Sequence, residues 1–252
     1  MKNLLNKIAS TVASKVESRL LAEYGAIFLT RATPPPSIIF RDSAEVERFQ
    51  ATLQTRVALI GEHEIELQAD AMEALMAAAF ELRSQGATLT PRAADSGRRS
   101  YEDTVSLWNR NVERGLEHWG ELGKITPDRA EQIKRHSPVD QVAVILEMEE
   151  AEQVYFGTFY DRSILYSVAA PGASQHLSML AFDAAEFQYE IVERTLALFG
   201  WHRTVVYDFP HFTYIGHDEQ TLPALGLKLV SRDYNERSYR FWIPALTATE
   251  IE

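Results

Sequence analysis

Between Pro171 and Gly216 the chain gathers His176, Asp183, Asp208 and His211 among prolines, glycines and aromatic residues. Two histidines and two carboxylates in so short a stretch form the residue set of a catalytic zinc site. Such a site needs nitrogen or oxygen ligands, an open position for water, and a carboxylate to take the water's proton. If the four side chains share one ion, the backbone between them must bend in specific places. His176 follows the turn signal Pro171-Gly172, which puts it on a loop or at a strand entrance. Asp183 closes the apolar run Met179-Leu180-Ala181-Phe182, which reads as a buried strand. The two positions are an odd number of residues apart, whereas a strand repeats every two, so a loop or bend has to lie between them. His211 opens the alternating run H-F-T-Y-I, a strand signal in which Phe212 and Tyr214 face away from His211. Asp208 lies three residues earlier, across Pro210, and the proline excludes a helical pair in favour of an extended or turned segment.

The rest of the chain sets the context. A length of 252 residues suffices for a substantial core. The 46% apolar and 24% charged content is that of a globular protein. A net charge of −11 argues against nucleic acid as a partner. There is no cysteine, so disulfides and thiolate metal sites are excluded. Leu4, Leu5, Ile8, Val12, Val16, Leu20 and Leu21 recur at helical spacing and predict an N-terminal amphipathic helix. Lysines, serines and Asn6 break its apolar face, so it has no unbroken core of an export signal. No run approaches the length of a membrane span. Residues 25–41, with three consecutive prolines, read as an extended segment. H-E-I-E at His63–Glu66 lacks the second histidine of a zincin motif and reads as an exposed turn.

Further elements follow from pattern. Residues 44–54 predict a short helix, and 56–67 extended chain. Ala69–Gln85 carries an apolar helical face ended by Gly86. Thr88–Thr90 reads as a short strand leading to S-G-R-R-S-Y, after which a helix runs from Tyr101 to about Trp119. Short helices are expected between Pro127 and Pro138, from Gln141 to Glu152, and from Phe187 to Phe199. Strands are expected at Ser163–Val168, Trp201–Val206 and Tyr239–Pro244. His202 lies on the strand aimed at Asp208 and reads either as a further site residue or as a half-exposed strand histidine. His118, His136 and His217 read as surface residues.

Three segments also carry a resemblance. S-Q-H-L-S-M-L-A-F-D, from Ser174 to Asp183, is similar to the S-x-H-x-x-G-x-A-x-D signature of zinc D-alanyl-D-alanine carboxypeptidases of the VanY type. D-F-P-H-F-T-Y-I-G resembles that family's E-P-W-H-F-x-Y-V-G, and S-G-R-R-S-Y resembles its S-G-Y-R-S-Y. The segments occur in family order, and the resemblance spans roughly residues 65–230. It implies one Zn2+ per chain on His176, Asp183 and His211, with Asp208 as general base. It further implies that Arg99 and Ser174 bind substrate, the guanidinium gripping a terminal carboxylate. Met179 stands where the signature has glycine, Asp208 where the family has Glu, and Arg98 where it has an aromatic residue.

These readings converge on an α+β chain, mostly antiparallel sheet flanked by helices. The resemblance adds a DD-peptidase/Hedgehog-like fold. Residues 1–41 would form an N-terminal helical and Pro-rich extension packed on a metallopeptidase-like domain, 42–252. The implied activity is hydrolysis of the terminal D-amino acid of a peptidoglycan stem peptide or similar D-amino-acid peptide. A wall endopeptidase or dipeptidase on the same scaffold, and a non-catalytic zinc-containing peptide- or cell-wall-binding protein, are the alternatives. The cell envelope or periplasm is the location that such a substrate implies, with the cytoplasm as the alternative.

Overall fold

The computed structural model describes residues 4–12 and 14–246. The chain divides into two compact units: Met1–Ile38, Glu47–Arg99 and Gln175–Glu252 form the first, and Ile39–Val46 with Ser100–Ser174 the second.

The first unit opens with α1 (Leu4–Ala9) and α2 (Lys15–Tyr24), followed by a 3-10 turn over Gly25–Leu29. The last residues of α3 (Ser43–Gln50) lead into a hairpin of β1 (Thr55–Ile60) and β2 (His63–Gln68), and α4 (Ala69–Ser84) follows directly. The hairpin is antiparallel, with Ile60 paired to His63 around Gly61, whose φ of 60° suits glycine. Residues that α4 and β2 bury, among them Leu67, Met72, Leu75 and Leu82, pack in one core with Phe182, Leu196, Trp201 and Phe212. That core backs the strands that carry the site.

The second unit contains α5 (Tyr101–Glu121), α6 (Pro127–Arg135) and α7 (Pro138–Glu152). Their starts are written in the sequence. Ser100 and Asp103 form a capping box, and the hydroxyls of Thr126 and Ser137 cap helices whose next residue is proline. Gly115 lets the Phe156 ring lie on α5, since a Cβ there would stand 2.2 Å from Phe156 Cδ1.

Returning to the first unit, β3 (Ala181–Asp183), α8 (Glu190–Leu198), β4 (Trp201–His202) and β5 (His211–Tyr214) precede α9 (Leu222–Leu225) and the long hairpin of β6 (Leu227–Tyr234) and β7 (Arg237–Pro244). Among the described residues every strand pairing is antiparallel, and the strands fall into three small sheets, β1-β2, β3-β5-β4 and β6-β7. The chain is thus α+β. No described helix is long and apolar enough to cross a membrane.

Several local expectations are corrected. Ser163–Val168 is not a strand: Ile164–Tyr166 is a 3-10 turn, with the Ser163 hydroxyl accepting from Leu165 N and the Glu149 carboxylate from Ile164 N. Thr88–Thr90 forms no strand, because the Glu186 carboxylate takes the Thr90 N–H that a ladder would use, along with the Thr90 hydroxyl, and a single bridge, Pro91 with Ala184, remains. The strand expected over Trp201–Val206 ends at His202, where the buried Arg203 side chain turns to carbonyls at Phe187 and Phe209. Gly25–Leu29 is 3-10 rather than extended. His63–Glu66 is strand rather than turn, since the reversal falls on Gly61-Glu62. The N-terminal amphipathic segment is two helices, α1 and α2.

Candidate metal centre

The β3–β5 register sets Asp183 directly opposite His211. Directly paired residues put their side chains on the same face, so this pairing alone brings a carboxylate to an imidazole. Asp183 Oδ1 lies 3.1 Å from His211 Nδ1. His176 arrives by the bend that the odd spacing requires. Gln175–Ser178 forms a 3-10 turn, and Met179 then adopts a left-handed φ of 53° before β3 begins. A non-glycine residue in that region costs on the order of 1 kcal/mol or more, so the position that carries glycine in the resembling signature is strained here. The bend brings His176 Nε2 to 3.3 Å from Asp183 Oδ1. One ligand atom each from His176, Asp183 and His211 falls within 4.8 Å of the others. The two rings are edge to face, with centroids 4.9 Å apart.

Both imidazoles have their outward nitrogen committed. His176 Nδ1 donates to the Gly97 carbonyl at 2.7 Å, so Nε2 carries the lone pair. His211 Nε2 bonds Gln175 Oε1 at 2.9 Å, and Nδ1 faces Asp183. His176 Nε2 is buried and makes no hydrogen bond, which is costly for a polar atom unless something else binds it. Two imidazole nitrogens and one carboxylate oxygen, with the opposite nitrogens held by protein acceptors, match the donor set and outer shell of a zinc-type site.

The segment S-G-R-R touches this set three times. The Ser96 carbonyl accepts from Asp183 N, the Gly97 carbonyl holds His176, and Arg99 Nη2 donates to Asp183 Oδ2 at 2.8 Å. Gly97 is required by contact rather than by torsion, since a Cβ there would stand 2.7 Å from Ile65 Cγ2 and 3.0 Å from the Glu66 carbonyl. Arg99 Nε binds the carbonyl and carboxylate of Asp95. Arg98 pairs with Glu66 at the surface, at 2.8 Å.

Charge follows from this geometry. Burial pushes the Asp183 carboxyl upward, but the His176 and His211 rings beside it outweigh that and hold the pKa well below the usual value. Burial lowers the His176 pKa, with the charge and hydrogen bonding of Asp183 pulling against it. For His211, burial is overcome by the hydrogen bond to Asp183 and the charges of Asp208 and Asp183, and the pKa is raised.

Asp208 stands at the edge of the group, with Oδ2 4.0 Å from His211 Nδ1 and half of its side-chain surface exposed. A turn presents it: Tyr207 has a left-handed φ of 69°, and His211 N bonds the Asp208 carbonyl. Loss of water raises its pKa, aided by the charge of Asp183 and opposed by His211, His176 and Arg99. Because half of the side chain meets solvent, that push is smaller than full burial would give. Ser174 is buried, one residue before Gln175. His202 does not join the group. It is buried, and its Nε2 donates to the His217 carbonyl at 2.8 Å. His217 itself is half-buried rather than a surface residue.

Sequence reasoning missed the supports. Gln50 Nε2 donates to the Leu177 carbonyl and Gln68 Nε2 to the Ser178 carbonyl, while Gln68 N donates to the Met179 carbonyl. Two buried glutamines thus clamp three successive carbonyls of the bend that carries His176. Arg203, buried against Phe212 and Glu193, donates Nε to the Phe209 carbonyl at 2.6 Å and so anchors the residue next to Asp208. The one available signal was a glutamine closing an alternating strand, as Gln68 closes β2.

No family model and no curated protein matches this sequence. Among solved structures, the chain is similar to a mutant of the vancomycin resistance D,D-pentapeptidase VanY from the VanB-type resistance cassette, in complex with Zn(II). The TM-score is 0.37 and the identity 15%, over 66% of this chain and 82% of that one.

Proposed function

We propose that this protein is a zinc metallopeptidase that removes the terminal D-amino acid from a peptidoglycan-type peptide. The observation that carries the reading is the His176–Asp183–His211 group: three ligand atoms within 4.8 Å, with His176 Nε2 buried and unbonded. His176 Nε2, Asp183 Oδ1 and His211 Nδ1 would hold the ion. When bound, zinc supplies Lewis acidity, which activates water near neutral pH and polarises a carbonyl oxygen.

The chain's own residues do the rest. Arg99 holds the substrate's terminal carboxylate through Nη1, which takes no part in its bonds to Asp95 and Asp183. That grip places the last peptide bond at the centre and makes the cut exopeptidic. Asp208 accepts a proton from the attacking water as the new C–O bond forms. It then delivers that proton to the amine nitrogen as the C–N bond breaks, so the products are a shortened peptide and a free D-amino acid. The resemblance of three ordered segments supports the substrate class, and the cell envelope or periplasm is the location that goes with it.

A second reading is favoured by the short reach of Asp208. Its carboxylate, 4.0 Å from His211 Nδ1, would become a fourth ligand and close the site into a non-catalytic zinc centre.

One experiment separates the readings: zinc stoichiometry together with D-alanine release from a muramyl-pentapeptide analogue, for wild type and Asp208→Ala. One zinc per chain in both, with release lost in the variant, is expected. Zinc affinity that collapses in Asp208→Ala supports the closed centre, and absence of zinc from the wild type overturns both.

A further inference from the structure

Gln175 is 3% exposed and directly precedes His176, yet its side chain serves the other histidine. Its Oε1 is 2.9 Å from His211 Nε2 and 2.5 Å from Thr213 Oγ1. Its Nε2 donates to the Tyr24 carbonyl at 3.0 Å and to Thr204 Oγ1 at 3.2 Å. Thr204 Oγ1 and Thr213 Oγ1 are 2.6 Å apart.

The orientation of the Gln175 amide is fixed. The Tyr24 carbonyl can only accept, so the amide nitrogen must face it and Oε1 must face His211. Thr213 then spends its proton on Oε1, Thr204 donates to Thr213, and the Thr204 oxygen accepts from Gln175 Nε2. Every donor in the ring has an acceptor. With Oε1 fixed, a His211 ring without a proton on Nε2 would set two lone pairs against each other, buried, at 2.9 Å, whereas Nδ1, 3.1 Å from Asp183 Oδ1, meets a carboxylate that either a proton or a cation can bridge.

We propose that Gln175 is a positioning residue that holds the proton of His211 on Nε2, leaving Nδ1 as the nitrogen that binds and releases other partners. The role in metal binding rests on the zinc reading given above; the control of the tautomer does not. Gly97 does the same for His176 with the ring reversed, so the two histidines present opposite nitrogens to one point. The arrangement explains why a buried polar ring of Gln175, Thr204 and Thr213 is built beneath β5.

The test uses Gln175→Met, which keeps the length and removes the acceptor, and Thr213→Val, which unties Oε1 without changing shape. Nitrogen-15 NMR of the histidine rings in the metal-free protein at alkaline pH reads the tautomer. Competition with a chelator reads zinc affinity. In the wild type, His211 is expected to carry a proton on Nε2 that is protected from exchange, with or without a second proton shared between Nδ1 and Asp183. In Gln175→Met the protection is lost, the Nδ1–H form appears, and zinc affinity falls about 10–100-fold. His176 stays Nδ1–H throughout as the internal control. Thr213→Val shifts both readings in the same direction by less, and decides the matter if Gln175→Met fails to fold. A folded variant with unchanged His211 protonation and unchanged affinity overturns the proposal, as does a wild-type ring that carries no proton on Nε2. A wild type that takes up no zinc defeats the metal reading alone, because the NMR comparison still decides the role of Gln175.

Discussion

Asp183 and Glu149 are both carboxylates withdrawn from water, one in each compact unit, and their surroundings differ in kind. Glu149 Oε1 accepts from two backbone N–H groups, those of Phe156 at 2.9 Å and Ile164 at 2.7 Å. The acid there does the work of a missing piece of secondary structure, tying the chain after α7 to itself. Asp183 instead faces two imidazoles and a guanidinium, and its neighbours include a nitrogen lone pair with no proton to meet it. Backbone donors around an acid mark scaffold. Side-chain lone pairs converging beside an acid mark a place for a cation. The histidines repeat the contrast: His118 stacks flat on Tyr160, with centroids 3.9 Å apart, while His176 has one nitrogen pinned and the other aimed at a carboxylate.

The contrast breaks most sharply on metal uptake. His176→Ala and His211→Ala are expected to abolish zinc binding measured by metal analysis after dialysis, while Glu149→Ala binds as the wild type does. Uptake retained in either histidine variant would remove that residue from the centre. Stability runs the other way. Glu149→Ala leaves two buried N–H groups without their acceptor and is expected to lose roughly 2–4 kcal/mol in urea denaturation.

Acid sharpens the difference. The folded pKa of Asp183 lies below its unfolded value near 3.8. The carboxylate's contribution is therefore fully present above about pH 4 and is lost as pH falls through the folded value. The metal-free wild type should lose stability more steeply below pH 4 than Asp183→Asn does, and equal slopes would mean that Asp183 carries no special charge. The smallest effect belongs to the surface. Arg98→Ala breaks only the exposed pair with Glu66, and a change within about 1 kcal/mol is expected, with zinc uptake unaltered.

The parts of the site legible in the sequence were those that follow from strand period and turn chemistry. The odd spacing of His176 and Asp183 demanded a bend, and the 3-10 turn with Met179 supplies it. The alternation after His211 announced β5, and Pro210 announced the turn before it. The apolar face of α4 was equally plain because it is local, whereas α7 begins at Pro138, three residues before the expected Gln141. What stayed hidden depends on partners far along the chain. Gln50, Gln68 and Gln175 acquire their roles only when Leu177, Ser178 and His211 come to them. The apolar run at Ser163–Val168 fits strand and 3-10 turn alike, and the Glu149 carboxylate decides between them. Glutamine has no spacing that announces a clamp.

The pairing of β3 with β5 spans only Ala181–Asp183 against Thr213–His211. A slip of one residue would set Phe212 where His211 belongs and turn the imidazole to the opposite face. The short ladder offers little resistance of its own to that error, but an ion bound by Asp183 and His211 recognises only the correct alignment. Metal present during folding would therefore act as an editor of strand alignment, favouring the one alignment that reproduces the site and leaving the others unrewarded.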